Sequence, residues 1–296
     1  MIFLFNQYGT FMNTFKKTTL ALAVFTLASG AIAQTAPAPA PAPTASPITA
    51  NITITNDYRY RGISQSNFLP AIQGGFDYAH ESGFYIGNWN SSISWLSDYY
   101  GNGGGGAQSG LNVTAPVEMD FYAGFKKELI APGFASDVGV LQYFYPSKGI
   151  PVGNGTAFAN PNTTEVYLAQ NFTFGPLTGF VKFSYAMTTT FGNVNSRGSY
   201  YPDLTINYDT GILGITANGH VGYQYIAGTV DGISNDKFSY TDWKLGLTKD
   251  FGGGVSAAIA YVGTNAKKVG STYSYGSPQG KDLGSAGGLI SLTKTF

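Results

Sequence analysis

About a dozen times along this chain, apolar and polar residues alternate with a period of two over stretches near ten residues. VEMDFYAGF sets Val117, Met119, Phe121, Ala123 and Phe125 on one face against Glu118, Asp120 and Tyr122 on the other. LTGFVKFSY sets Leu177, Val181, Phe183 and Tyr185 against Thr178, Lys182 and Ser184, and ITANGHVGYQY sets Ile215, Ala217, Val221 and Tyr223 against Thr216, Asn218, His220 and Gln224. Side chains of a strand point to opposite faces in turn, so such runs predict strands with one apolar and one polar face. No window after residue 50 carries a helical period.

The segments fall at 51–61, 70–80, 83–94, 116–127, 135–145, 164–174, 177–187, 199–208, 213–225, 239–249, 254–264 and 286–296. Their connections alternate in length. HESG, ELIAPG, GPL, DTGI and DFGGG are short turns, whereas about 96–115, 146–163, 188–198, 226–238 and 265–285 are long and 62–69 is intermediate. An antiparallel meander with short turns at one end and long loops at the other is the layout of an all-β, transmembrane outer-membrane barrel of about twelve strands, with periplasmic turns and extracellular loops. A periplasmic sandwich would alternate too, but its strands run about five or six residues. Segments near ten suit strands crossing a bilayer at a tilt of about 45°.

Composition decides which face is outside. Only 11% of residues are charged, with 16 basic and 16 acidic side chains, while 43% are hydrophobic. A soluble domain carries about 25% charge, so something other than charge must cover this surface. The absence of cysteine removes disulfides and thiolate metal sites. No basic face exists to neutralise phosphates, which argues against nucleic acid as a partner.

The ends carry targeting signals. Lys16 and Lys17, the apolar run TTLALAVFTLASG and Ala31-Ile32-Ala33 read as a signal peptide over 1–33, with Met12 a more natural start than Met1. Residues 34–49, rich in Pro and Ala, predict an extended tether, so the barrel is expected over 50–296. At the other end GGLISLTKTF places the terminal Phe296 on the face of Ile290 and Leu292, with Lys294 on that face able to snorkel to headgroups. Such a terminal strand is expected to be read by the barrel assembly machinery, and the expected location is the bacterial outer membrane.

The run DYRYRGISQSNFLPAIQGGFDYAHESGFYIGNW, through Arg61-Gly62-Ile63-Ser64-Gln65, Gln73-Gly74-Gly75 and Ser82-Gly83-Phe84-Tyr85, resembles the start of the TorF family of porins, also known as Gcw_chp. MDFYAGF, DVGVLQYFYP, TEVYLAQ and SLTKTF resemble it further along the chain. The resemblance implies an outer-membrane barrel with a channel role, and brings neither an established substrate nor site residues.

With apolar faces toward lipid, the polar faces line a lumen. The candidate pore-lining residues are Asp57, Arg59, Arg61, Asp77, Glu118, Asp120, Lys126, Glu165, Lys182, Asp203, His220 and Lys244. Arginine or lysine at the bilayer midplane costs about 2–4 kcal/mol, so mutual pairing inside is expected, with Arg59 and Arg61 meeting Asp77 or Glu118. Tyr58 and Tyr60, continuing the alternation of Ile52 and Ile54, are expected on the lipid face. Twelve strands lie between the filled eight-stranded barrel and the wide sixteen-stranded channel. The function expected is passive diffusion of small solutes through a narrow, mixed-charge lumen, with lipid as the surrounding partner. A non-conducting structural or adhesive barrel is the alternative. An outer-membrane hydrolase is a further one, but the chain offers only His80 and His220 as imidazole bases, so no enzyme is expected. Neither a cofactor nor a metal site is expected from this scarcity of ligands, and no feature marks a subunit interface.

Overall fold

The computed structural model of the chain describes residues 46–101, 112–152 and 159–296. The expected signal peptide, most of the Pro/Ala tether and the glycine-rich link lie outside them.

Twelve strands form the wall. They are β1 (Ile48–Thr55), β2 (Ala71–Ala79), β3 (Phe84–Ser92), β4 (Val117–Ala131), β5 (Phe134–Phe144) and β6 (Thr163–Phe174). The second half is β7 (Leu177–Ala186), β8 (Tyr200–Asp209), β9 (Ile215–Gln224), β10 (Tyr240–Gly252), β11 (Val255–Thr264) and β12 (Gly287–Thr295). Each pairs antiparallel with the next, and β12 returns to β1, so the sheet closes into a barrel. Closure leaves no unpaired edge, which is what lets a sheet stand in hydrocarbon. The closing seam is short, joining Asn51–Thr55 to Ser291–Thr295.

Both described ends of the chain and all the short turns share one end of the barrel; the long connections share the other. One of these holds α1 (Trp95–Tyr100), a helix of six residues that periodicity over longer windows does not register.

Burial is inverted relative to a soluble protein. Leu245 is 70% exposed, Ile290 63% and Leu168 62%, while Glu118 is 1% exposed and Asp120 is fully buried. Leaving a large aliphatic side chain in water forgoes about 1.5–3 kcal/mol, and dozens of these residues ring the outside. Only lipid makes that arrangement stable. Phe76, Phe84, Phe174, Tyr208 and Phe251 are exposed at the turn end, where an aromatic girdle meets the headgroups. Lys294 turns its ammonium back to the carbonyl of Gly253 at 2.5 Å, clear of the apolar belt.

The strand ends lie within a few residues of those read from the alternation, with one large departure. β1 stops at Thr55 instead of running to residue 61. From Asp57 the chain leaves the wall and enters the barrel.

Candidate functional site

The segment from Asp57 to Phe68 forms a compact loop inside the barrel, knitted by its own side chains. The Asp57 carboxylate accepts hydrogen bonds from Ser64 (2.6 Å) and Ser66 (3.2 Å) and pairs with the Arg59 guanidinium. The Ser66 hydroxyl also accepts from the Tyr58 amide and donates to the Leu69 carbonyl. Within the loop, Arg59-Tyr60 and Ile63-Ser64 pair as a two-residue hairpin whose tip, Arg61-Gly62, has φ of 45° and 78°. Positive φ at both tip residues suits glycine and strains arginine. Glycine is also required for space, because a Cβ on Gly62 would come within 2.5 Å of Thr264 on β11 and 2.9 Å of Asp242 on β10.

This placement overturns two expectations. Tyr58 and Tyr60 do not face lipid; they are 2% and 7% exposed and lie in the aromatic core of the barrel with Trp89, Tyr143 and Tyr145. Nor do the arginines meet Asp77 or Glu118. Arg59 pairs with Asp57 and donates to the carbonyls of Gly62 (2.8 Å) and Ser285 (2.9 Å). Arg61 crosses the lumen to Glu165 on β6 at 2.7 Å and to the Gln224 amide oxygen on β9 at 2.5 Å, with its guanidinium stacked 4.0 Å from the Tyr201 ring on β8. The physical reason is shared: alternation continues through a tight hairpin, so parity survives while the direction of the chain reverses.

The hairpin is therefore tied to walls on several sides. Tyr58 donates to Glu118 at 2.5 Å, and Tyr145 donates to the other oxygen of that carboxylate at 2.8 Å. Tyr60 donates to the Tyr143 hydroxyl at 2.8 Å. Next to Glu118 on the same face of β4 lies Asp120, fully buried, with no hydrogen bond from a described residue to either oxygen.

On the turn side of this loop the lumen carries rows of charge in which Lys126, Lys182, His220 and Lys244 are partly exposed. Lys126, Asp137, Ala169, Lys182, Asp203, Gly222 and Asp242 follow one another directly across six ladders. Opposite charges in register stabilise each other by about 0.2–1 kcal/mol, and Lys182 and Asp203 stand 3.7 Å apart. The next row holds Thr205, His220 and Lys244. His220 contacts Thr205 (2.9 Å) through Nδ1, and Asp242 (2.9 Å) and Tyr201 (3.0 Å) through Nε2. Hydroxyl, imidazole and carboxylate meet here, on strands paired along both edges. Asn218, two residues from His220, turns instead to Asn207 and Thr248.

All twelve candidate residues thus point into the barrel, and eleven of them form two groups. Asp57, Arg59, Arg61, Glu118, Asp120 and Glu165 belong to the plugged outer half, whereas Lys126, Lys182, Asp203, His220 and Lys244 lie nearer the turns. Asp77 lies apart, accepting from the Tyr122 hydroxyl at 2.6 Å. The candidate set left out Asp137, Asp242, the inward tyrosines Tyr143, Tyr145 and Tyr201, and also Gln224, which the alternation sets on the polar face of its strand. Strand parity marks each as inward.

A closed barrel with an apolar belt outside and charged rows inside is a transmembrane β-barrel of the outer-membrane type. The chain belongs to the family Gcw_chp, described as a bacterial protein of unknown function, which matches residues 39–296. The name TorF is no part of that description. No curated protein matches the chain. Among solved structures, a KdgM porin is similar with a TM-score of 0.48 at 8% identity, over 84% of this chain and 98% of its own. The KdgM porin in complex with disordered oligogalacturonate gives 0.47 at 8% identity over the same shares. An outer membrane channel from Pseudomonas putida gives 0.47 at 11% identity, over 85% and 96%. Likenesses this distant carry no argument about function, and the fold stands on the chain's own strand pairing.

Proposed function

We propose that this protein is an outer-membrane channel for passive diffusion of small solutes, exported by the signal peptide over 1–33 and closed in its resting state by the inward loop. One observation carries this reading. The outer lumen is filled by a loop of about twelve residues held by side-chain contacts, whereas the half beneath it carries rows of charged side chains of which Lys126, Lys182 and Lys244 are partly exposed. A barrel built only as a scaffold would be filled by its wall, as eight-stranded barrels are. The twelve candidate residues serve as lumen groups, eleven of them in two tiers, with Asp57, Arg59 and Arg61 carried by the loop. Balanced charge in the lower tier sets weak ion selectivity. Phe296, 71% exposed at the end of β12, is the proposed mark for assembly.

The test is conductance in planar bilayers, with liposome swelling, for heat-modifiable wild-type protein and a variant whose Asp57–Asn67 segment is replaced by a short Gly/Ser linker. The linker variant should conduct steadily and admit small sugars, and wild type should conduct in brief openings. If both are silent, the non-conducting structural barrel replaces this reading.

A further inference from the structure

We propose that the seat occupied by Arg61 is a binding site for small solutes bearing a guanidinium group, and that the hairpin tip is a tethered stand-in that such a solute displaces. This rests on the channel reading and names its solute class.

The seat belongs to the wall. Glu165 on β6 supplies a carboxylate oxygen at 2.7 Å, Gln224 on β9 an amide oxygen at 2.5 Å, and Tyr201 on β8 a ring face 4.0 Å from the guanidinium carbon. Two acceptors placed for separate nitrogens, with an aromatic plane behind, match a planar delocalised cation rather than a compact ammonium. Glu165 and Gln224 are each 2% exposed, so the acceptors are dry and their demand for a donor is strong. Tyr143 adds a long contact to Glu165 at 3.5 Å, so Arg61 is the main donor in the closed state, and it acts from a left-handed backbone conformation that arginine disfavours. A solute in the same seat would keep the contacts and release the backbone.

Charge in the surrounding cluster points the same way. Among its described residues, Glu118, Asp120 and Glu165 stand against the single cation Arg61, and Asp120 lies within electrostatic reach of both glutamates. Tyr58 and Tyr145 donate to Glu118, whereas Asp120, fully buried, accepts a hydrogen bond from no described residue. A carboxyl so placed is costly to ionise, and a cation brought beside it lowers that cost. Asp120 faces Trp89 and Tyr143 across its two ladders, which adds aromatic faces to the approach. A cationic solute at this cluster therefore gains by stabilising the Asp120 carboxylate as it competes for Glu165. Anionic and neutral solutes gain nothing from it.

The test compares L-arginine with citrulline, its neutral isostere, on wild-type protein in detergent by titration calorimetry and in planar bilayers by open probability. L-arginine should bind at least tenfold more tightly than citrulline, with L-lysine between them, and it alone should raise the frequency of opening. Asp120→Asn, which leaves the Arg61–Glu165 pair in place, should weaken L-arginine binding several-fold without changing the citrulline result. Glu165→Gln should open without ligand and lose the discrimination. Equal binding of L-arginine and citrulline by wild type would overturn the proposal, whether or not the barrel conducts. If Arg61→Ala conducts while wild type ignores both solutes, the channel reading stands and the solute class falls. If no variant conducts but L-arginine still binds selectively, the site stands and the channel reading falls.

Discussion

The guanidinium of Arg61 spans the barrel interior to reach Glu165, 2.7 Å away in space and 104 residues away in sequence. Removing one partner of such a buried pair costs about 3–5 kcal/mol, because the other charge is left uncompensated. Here that cost falls on docking of the loop, since β6 keeps its ladders to β5 and β7. Arg61→Ala should retain the heat-modifiable gel shift of a folded barrel while its open probability rises sharply. Protease cleavage within the loop should rise in parallel.

Gly62→Ala tests the same docking without touching charge. The added methyl meets Thr264 and Asp242 from a residue held at φ 78°, and substitution at such an angle costs about 1 kcal/mol before any clash is counted. The variant should open more often than wild type while preserving ion selectivity, because the lower charged rows are untouched. Unchanged gating would show that the tip has room the structure does not give it.

How much of this was legible in the sequence follows from what alternation can encode. Side-chain parity is local, so the strands and the inward side of Glu118, Asp120, Lys182 and His220 were readable from a few neighbours. Direction relative to the wall is not local. Tyr58 and Tyr60 keep the parity of Ile52 and Ile54, yet the partners that draw them inside, Glu118 and Tyr143, lie 60 and 83 residues away. Arg61-Gly62 was the one available hint, since an Xaa-Gly pair inside an alternating run is also a tight hairpin signal. The arginines' partners depend on barrel register, which no single strand contains.

Tyr58→Phe separates hydrogen bonding from packing. The ring stays 5.4 Å from Trp89, but Glu118 loses its 2.5 Å donor and keeps only Tyr145. An unsatisfied buried acceptor costs about 1–3 kcal/mol. A cycle of Tyr58→Phe, Tyr145→Phe and the double variant, followed by thermal loss of the heat-modifiable form, should show coupling, with the double change costing more than the two single changes added. Strict additivity would mean that Glu118 finds other donors.

The Lys182–Asp203 pair makes the opposite kind of prediction. At 3.7 Å the contact is too long for a hydrogen bond, with the lysine side chain 22% exposed and the aspartate 3%. Lys182→Gln or Asp203→Asn should therefore cost less than breaking a hydrogen-bonded buried pair, which costs about 3–5 kcal/mol. Permeation should respond, because an unscreened charge acts on every ion that passes. Lys182→Gln leaves Asp203 unopposed and should move the reversal potential in a salt gradient toward cation selectivity; Asp203→Asn should move it the other way by a comparable amount. Both shifts should shrink as salt rises and the screening length falls below about 10 Å. Two shifts of the same sign, or none, would mean that ions do not pass this row.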